Sequence, residues 1–320
     1  MNSVSKLEGL VLLAGFVGAV LLPAEATASP WTLEKDKLAV DLSYNFQFAN
    51  KEYLPGGELQ SFPLDGSFNG GDLSLGGRYG FTDTFEGYLR LNFKQVSYKS
   101  SPFLRGELSD YEGREAVYSE GLLDFSDTRA GAGDFSLGGR YNVFDHRGII
   151  KLTTDTSLKL PAGYEEPAGT FVEGQVSGDT VADDVTLGDG QVDLTQQILF
   201  GAYSPKTQTF ARVGAGFELR FGPPGHRVLG GVKVGQNIGD SVIVFAGTSG
   251  ALTVTEGATI GQSFITRSPE KSAAELGADD IEQIPITLDK DYLKVAGGLI
   301  FRLEKAELQF SYSQIVVGRN

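Results

Sequence analysis

A short frame that occurs twice constrains this chain more than any other feature. Gly71-Asp72-Leu73-Ser74-Leu75-Gly76-Gly77-Arg78-Tyr79 returns 62 residues later as Gly133-Asp134-Phe135-Ser136-Leu137-Gly138-Gly139-Arg140-Tyr141. In each copy apolar residues fall at every second position, with Ser, Gly and Arg between them. An aromatic run and a turn follow, Phe81-Thr82-Asp83 and Phe144-Asp145-His146. Side chains alternate faces along a strand, so each copy puts its Arg on one face and its Leu and Tyr on the other. Repeated around a closed sheet, this pattern gives a greasy exterior and a polar interior, as in a barrel that spans an outer membrane.

The rest of the chain repeats the alternation. From 38 to 48, Leu38, Val40, Leu42, Tyr44, Phe46 and Phe48 share a face, with Ala39, Asp41, Ser43, Asn45 and Gln47 opposite. A tilted membrane strand needs about 9–11 residues. Further strands are predicted over 72–81, 85–98, 134–144, 150–160, 191–203, 209–221, 227–236, 241–253, 292–303 and 307–317, eleven in all. The third breaks phase near Gln95, which predicts a bulge there.

The connections alternate in length. Short turns lie near Thr82-Asp83, Asp145-His146, Pro205-Lys206, Asn237-Gly239 and Glu304-Lys305. Long loops cover 49–71, 99–133, 161–190 and 254–291; on that side only 222–226 is short. Outer-membrane barrels have short periplasmic turns and long external loops. Loops of this length are uncommon in compact soluble domains, which disfavours a secreted β-sandwich. The fold class predicted is therefore an all-β, antiparallel, up-and-down transmembrane barrel of about twelve strands. Bacterial barrels usually have an even number of strands. Eleven predicts either a further strand beyond Asn320 or one overlooked.

Charge is sorted in the same way. Residues 161–190 carry seven acids and no Lys or Arg, and 254–291 carry eight acids against three bases. The face opposite the Leu and Phe rows carries eleven bases: Arg78, Arg90, Lys94, Arg140, Lys151, Lys159, Arg212, Arg220, Lys233, Lys294 and Arg302. Six acids share it: Asp41, Glu86, Asp155, Asp193, Glu218 and Glu307. A Lys or Arg facing lipid at mid-depth costs about 2–4 kcal/mol. Eleven would exceed the ~5–15 kcal/mol stability of an ordinary domain, so these residues are expected to line the lumen. They have two readings: a net basic aqueous path with mild anion preference, or a closed, salt-bridged interior.

The first residues resemble a secretory signal: Lys6, an apolar stretch from Leu10 to Leu22, and the small-x-small site Ala26-Thr27-Ala28. Cleavage there makes 1–28 a signal peptide and 29–320 one barrel domain. Thirteen apolar residues rise only about 20 Å as a helix, against a ~30 Å hydrocarbon core; an uncleaved helical anchor is the alternative. Loss of Lys6, Glu8 and Glu25 changes the formal charge from −14 to −13. An acidic chain without a polybasic run disfavours nucleic acid. The absence of Cys removes disulfides, thiolate metal sites and a lipid-modified cysteine. The 43 Gly and 33 Phe plus Tyr suit curved strands with aromatic girdles.

Several segments resemble a known family. The Gly-Asp-x-Ser-Leu-Gly-Gly-Arg-Tyr strands, Lys159-Leu160-Pro161 with Gly163, Gly188-Asp189-Gly190 leading into Asp193-Leu194, and Tyr312-Ser313 with Gly318-Arg319-Asn320 are similar to outer-membrane barrel transporters of the MetA-pathway phenol-degradation type. The resemblance implies a Gram-negative outer-membrane channel for small, hydrophobic or aromatic solutes. It implies outer-membrane lipid and lipopolysaccharide as surroundings. The family pattern continues past Gly-Arg-Asn into one more strand, a departure here.

Other chemistry is weakly supported. His146 lies in a predicted periplasmic turn, and His226 in Pro223-Pro224-Gly225-His226 has no neighbouring Gly-x-Ser-x-Gly. A barrel enzyme is therefore disfavoured and solvated turn histidines are expected. Asp183-Asp184, Asp189 and Asp279-Asp280 lack the spacing of a Ca²⁺ loop. Gly131-Ala132-Gly133 leads into a strand, so the dinucleotide fingerprint fails. No cofactor or metal is expected. The functional expectation is passive or gated passage of small solutes, and the alternative is a non-conducting surface barrel that acts in adhesion or envelope structure through its acidic loops.

Overall fold

The computed structural model describes residues 29–54, 56–104, 122–123, 126–164, 167, 171–172, 175–176, 186–266, 268, 271, 275, 280–304 and 306–319. The apolar stretch from Leu10 to Leu22, the site at Ala26-Thr27-Ala28, Asp183-Asp184, Asp279, Lys305 and Asn320 lie outside them.

One antiparallel sheet of eleven strands dominates the described residues: β1 Leu38–Ala49, β2 Ser67–Gly80, β3 Phe85–Lys99, β4 Asp127–His146, β5 Ile150–Leu160, β6 Val192–Ser204, β7 Thr209–Phe221, β8 Arg227–Ile238, β9 Val242–Thr253, β10 Asp291–Arg302 and β11 Glu307–Arg319. Each strand pairs with its neighbours in sequence. The short turns fix the hairpins β2–β3, β4–β5, β6–β7, β8–β9 and β10–β11, and sequential pairing across the longer connections completes the up-and-down order. The longer connections carry small sheets of their own: Lys51–Tyr53 with Leu59–Ser61, Phe103–Leu104 with Leu122–Leu123, and a four-stranded one that includes Thr259–Thr266 and Ile281–Thr287.

The sheet curls, and β1 and β11 are its two edges among the described residues. The hairpin that extends β1 reaches β11, where Tyr53 Oη donates to the Ile315 carbonyl at 3.5 Å. Gly318 lies beneath the Tyr53 ring, where a Cβ would meet the ring at 2.6 Å.

Register is fixed by charge as well as by turns. Arg140 stands opposite Asp155, Asp193 opposite both Lys159 and Arg220, and Glu218 opposite Arg227. Opposite charges across a ladder stabilise that register. A slip by one residue would turn all of them outward.

Two local features differ from the expected strands. β3 keeps its phase through Gln95, which is exposed, and Val96 and Tyr98 are buried on the inner face. The irregularity sits instead on the facing strand: Leu91 pairs with Phe135 and Phe93 with Ala132, so Gly133 and Asp134 bulge. The second difference is length: β2 begins at Ser67 rather than Asp72 and β4 at Asp127 rather than Asp134, because the added residues of both pair with the end of β3.

Burial follows the two-residue period with the apolar side outward. Leu42 is 71% exposed, and Leu38, Val40, Leu89, Leu91, Phe93, Phe144, Phe200 and Val232 are also exposed. Glu86 is 0% exposed and Arg140 3%. In water this would be an inverted protein; in lipid it is the expected arrangement.

Candidate functional site: the lumen

The inner face of the curled sheet is lined in three tiers. Nearest the short turns, residues 29–37 run inside the curl before entering β1. The Pro30 carbonyl accepts from Thr153 Oγ1 at 2.6 Å. The Leu33 amide donates to Glu86 Oε2 at 2.7 Å, and the Lys35 amide to Asp83 Oδ1 at 3.1 Å. Trp31 meets Phe210 edge-on at 6.4 Å. Two glycines make room for this strap. A Cβ on Gly201 would lie 2.4 Å from Pro30, and one on Gly80 would lie 2.1 Å from the Glu34 carbonyl oxygen. Neither contact is tolerable for a larger residue.

The strap rests on a buried ion network. Arg140 Nε donates to Asp155 Oδ2 at 2.7 Å, and a terminal nitrogen donates to Glu86 Oε1 at 2.9 Å. The guanidinium lies over the Tyr88 ring, 5.0 Å from its centroid, and Tyr88 Oη donates to Asp155 Oδ1 at 2.6 Å. Both carboxylates are thus held by hydrogen bonds as well as charge, the condition under which buried ions are tolerated.

A second network closes the long-loop end. Lys159 Nζ contacts Asp189 at 2.6 Å and Asp193 at 2.5 Å. Arg220 donates to Asp189 Oδ2 at 2.6 Å and to the Leu288 carbonyl at 3.2 Å. Arg227 donates to Glu218 at 2.5 Å and 2.9 Å. Tyr164 donates to Asp134 and accepts from the Gly190 amide at 3.0 Å. Tyr164 and Asp189 are loop residues, so this network draws an external connection into the mouth. Burial, followed by the bond to Asp134, pushes the Tyr164 phenol well above its usual range. For Asp189 burial alone would raise the pKa, but Lys159 and Arg220 outweigh it and hold the carboxyl at about 2.

The middle tier is different. Leu199, Leu229 and Phe245 point inward from β6, β8 and β9 and are buried, and Ile243 toward the short turn and Ala251 toward the long loop continue the same apolar face. Against this apolar wall stand Arg212 and Lys233, directly opposite each other on β7 and β8. Lys233 Nζ lies 3.6 Å from the Phe245 ring centroid. A cavity of about 70 Å³ lies here, bordered by Pro30, Leu199, Arg212, Leu229, Lys233 and Phe245 among others.

The fold that carries these tiers has a solved counterpart. The crystal structure of an outer membrane channel from Pseudomonas putida F1 aligns with a TM-score of 0.56 over 94% of each chain, at 12% identity. This chain has an outer-membrane barrel fold. No family model matches it, and no curated protein does.

The remaining expected lumen residues are also placed. Arg78 lies 4.0 Å from Glu86, Arg90 3.8 Å from Asp41, and Lys151 2.9 Å from Asp145. Arg302 Nε meets Glu307 at 3.3 Å in an exposed pair, and Lys294 Nζ lies 5.6 Å from the Tyr292 ring centroid. Lys94 packs its stem near Gly133. The structure adds carboxylates that the eleven-to-six reckoning leaves out: Asp72 and Asp134 from the repeated frames, Asp145 at the end of β4, and Asp189 from the loop. The frames' own alternation signals the first two, because each Asp shares a phase with Ser and Arg. Nothing local signals that Asp189 folds inward.

The apolar wall also departs from a uniformly polar lumen. Its signal is the run Val242-Ile243-Val244-Phe245-Ala246, where alternation lapses, as it does in strands covered on both faces. Of the two histidines, His226 Nδ1 accepts from the Arg220 amide at 3.2 Å and its ring meets Phe217 edge-on at 6.0 Å. It staples the short loop to β7. His146 is exposed at the end of β4. Among the described residues no three His, Asp or Glu side chains are grouped to hold a metal ion.

Proposed function

We propose that this chain is an outer-membrane channel for the passive or gated passage of small solutes, reached after removal of 1–28 as a signal peptide. The observation that carries the reading is the division of the sheet into a lipid-compatible outside and a charged inside, with an internal cavity between the two ion networks. Lipid and lipopolysaccharide surround the outer face. Arg78, Arg90, Lys94, Arg140, Lys151, Asp155, Lys159, Asp193, Arg212, Glu218, Arg220, Lys233, Lys294 and Arg302 line the route. The Arg140 and Arg220 networks are rigid framing, and solute moves along the apolar wall beside them. The strap of residues 29–37 narrows the periplasmic exit and supplies the gate. The fold shared with a bacterial outer membrane channel supports the reading.

Planar-bilayer recording tests it. The mature chain is expected to give small, discrete conductance steps, and deletion of residues 29–34 is expected to enlarge them several-fold. Silence in both proteins would overturn passage. It would leave the second reading, a non-conducting surface barrel, which the paired charges across the lumen favour.

A further inference from the structure

At the long-loop end, the short turn between β7 and β8 is held by a side chain where a strand would ordinarily supply the bond. The β7–β8 ladder ends at Glu218 opposite Arg227. Arg220 lies two residues further on, so its amide points to the β8 side and meets no strand carbonyl there. His226 Nδ1 accepts from that amide at 3.2 Å. A backbone amide can only donate, so Nδ1 carries no proton in this arrangement. The same turn moors both stems of the 254–291 connection. The Val254 amide donates to the His226 carbonyl at 2.8 Å, and the Ala258 amide to the Pro223 carbonyl at 2.6 Å. The His226 amide donates to Thr255 Oγ1 at 2.7 Å, and the Gly225 amide to Asp289 Oδ1 at 2.7 Å. Arg220 itself donates to the Leu288 carbonyl at 3.2 Å.

We propose that His226 is a proton-operated pin of the external mouth: the neutral ring holds the β7–β8 turn on β7 and keeps both stems moored, and the protonated ring lets the turn go. Histidine is the side chain that ordinarily changes charge between about pH 5 and 8. An imidazolium has donors at both ring nitrogens, so it presents an N–H to the N–H of Arg220. The amide then loses its acceptor, which is costly for a buried strand residue. Nothing around the ring offsets the new charge. The charged groups on the elements packed about it are Glu218 and Arg220 on β7, Arg227 on β8, Glu256 after β9, and Asp289 and Lys290 before β10. Glu218 is bound to Arg227 at 2.5 and 2.9 Å, and Asp289 to the Gly225 and Gly257 amides at 2.7 and 2.8 Å. Among the described residues no carboxylate forms an ion pair with His226, and Arg220 and Arg227 repel an added cation. The pin is therefore whole while the ring is neutral and is lost as pH falls through the histidine range. His146, exposed at the end of β4, holds no such bond. The bond itself is independent of solute passage; only its effect on conductance rests on that reading.

Amide exchange of the full mature chain in detergent micelles, corrected for the intrinsic pH dependence of exchange, reads the pin directly. Between pH 7.5 and pH 5.0, protection at Arg220, Val254 and Ala258 is expected to fall at least tenfold. Protection at Val232 and Val234, in the middle of β8, should stay within twofold. His226→Asn puts an amide oxygen where Nδ1 stands and does not titrate, so its protection should match the neutral wild type at both pH values. His226→Phe keeps a ring against Phe217 but has no acceptor, and should be poorly protected at both. His146→Asn should respond as the wild type does. Heat-modifiable gel migration confirms that each variant is folded, and if His226→Phe is not, the His226→Asn comparison decides alone. A fall that persists in His226→Asn, full protection in His226→Phe, or no fall in the wild type would each overturn the pin. Planar-bilayer recording at the same pH values separates the pin from passage. Conductance steps are expected to be larger at pH 5.0 than at pH 7.5, and independent of pH in His226→Asn; equal steps in the wild type would overturn the pin's hold on the mouth. A chain silent at both values that still shows the protection pattern keeps the pin and removes passage.

Discussion

The two flanks of the lumen solve the same problem in opposite ways. From β2 to β5 the inner positions are mostly polar and paired, Val96 and Tyr98 at the end of β3 aside: Ser74 with Asn92, Arg140 with Glu86 and Asp155, Lys159 with Asp189 and Asp193. From β6 to β9 the inner positions include Leu199, Leu229, Ile243, Phe245 and Ala251, with Arg212 in register with Lys233. A buried charge is held in place by partners, whereas a buried leucine needs only the exclusion of water. The first flank therefore depends on each member of its network. The second tolerates exchange of one apolar group for another, and has room for something that is not protein. The comparison teaches that an alternating pattern fixes which side chains face inward but not whether the inside is wet.

The flanks should respond differently to substitution. Arg140→Leu is expected to have the largest effect, about 3–5 kcal/mol of destabilisation, because it leaves Glu86 and Asp155 buried without their cation. Urea unfolding in micelles, followed by gel migration, measures it. Leu229→Ala should cost less, about 2–3 kcal/mol, toward the low end for a buried leucine because the residue already borders a cavity. If Leu229→Ala proved the more damaging of the two, the contrast between flanks would fail.

Acid sharpens the comparison at the mouth. The carboxyl of Asp189 is held at about 2 in the folded chain, below its ordinary value near 3.9. Its contribution, on the order of 2 kcal/mol, is complete above about pH 4 and is lost as pH falls through about 2. Amide exchange at Gly190 and Gln191 should accelerate over that range, relative to exchange on β8 and β9. Asp189→Asn should show the faster exchange already at pH 5. The smallest effect is expected at Arg302→Gln. Its pair with Glu307 is exposed on both sides, and such pairs contribute about 0–1 kcal/mol.

Most of the fold was legible because the two-residue period leaves little choice once both faces are specified. Leu89, Leu91 and Phe93 against Arg90, Asn92 and Lys94 place β3 without any tertiary information. The short turns then order the strands. The limits of legibility are equally specific. The bulge at Gly133 and Asp134 lies on β4 opposite Asn92, whereas the lapse near Gln95 is only a change of side-chain type, a polar residue outward and Val96 inward, on a strand whose phase holds. The strap could not be read from alternation, because residues 29–37 have none; its marks are a lone Trp beside Pro30 and the glycines that admit it, Gly80 and Gly201, which are far away in sequence. In the sequence Asp189 is one of seven acids in a long loop, and only the fold brings Lys159 and Arg220 to it. The candidate cavity depends on a register, Arg212 opposite Lys233, that no single strand reveals.

The central claim is that greasy rows face lipid while the charged rows face the axis. The chain has no cysteine, so single cysteines can be introduced one at a time along β3, at 89, 90, 91, 92 and 93, and spin-labelled in reconstituted bilayers. Labels at 89, 91 and 93 should collide with lipid-dissolved oxygen, and those at 90 and 92 with a water-soluble nickel complex or with neither, in strict alternation. Labels at 89, 91 and 93 shielded from oxygen, with 90 and 92 open to it, would contradict the account.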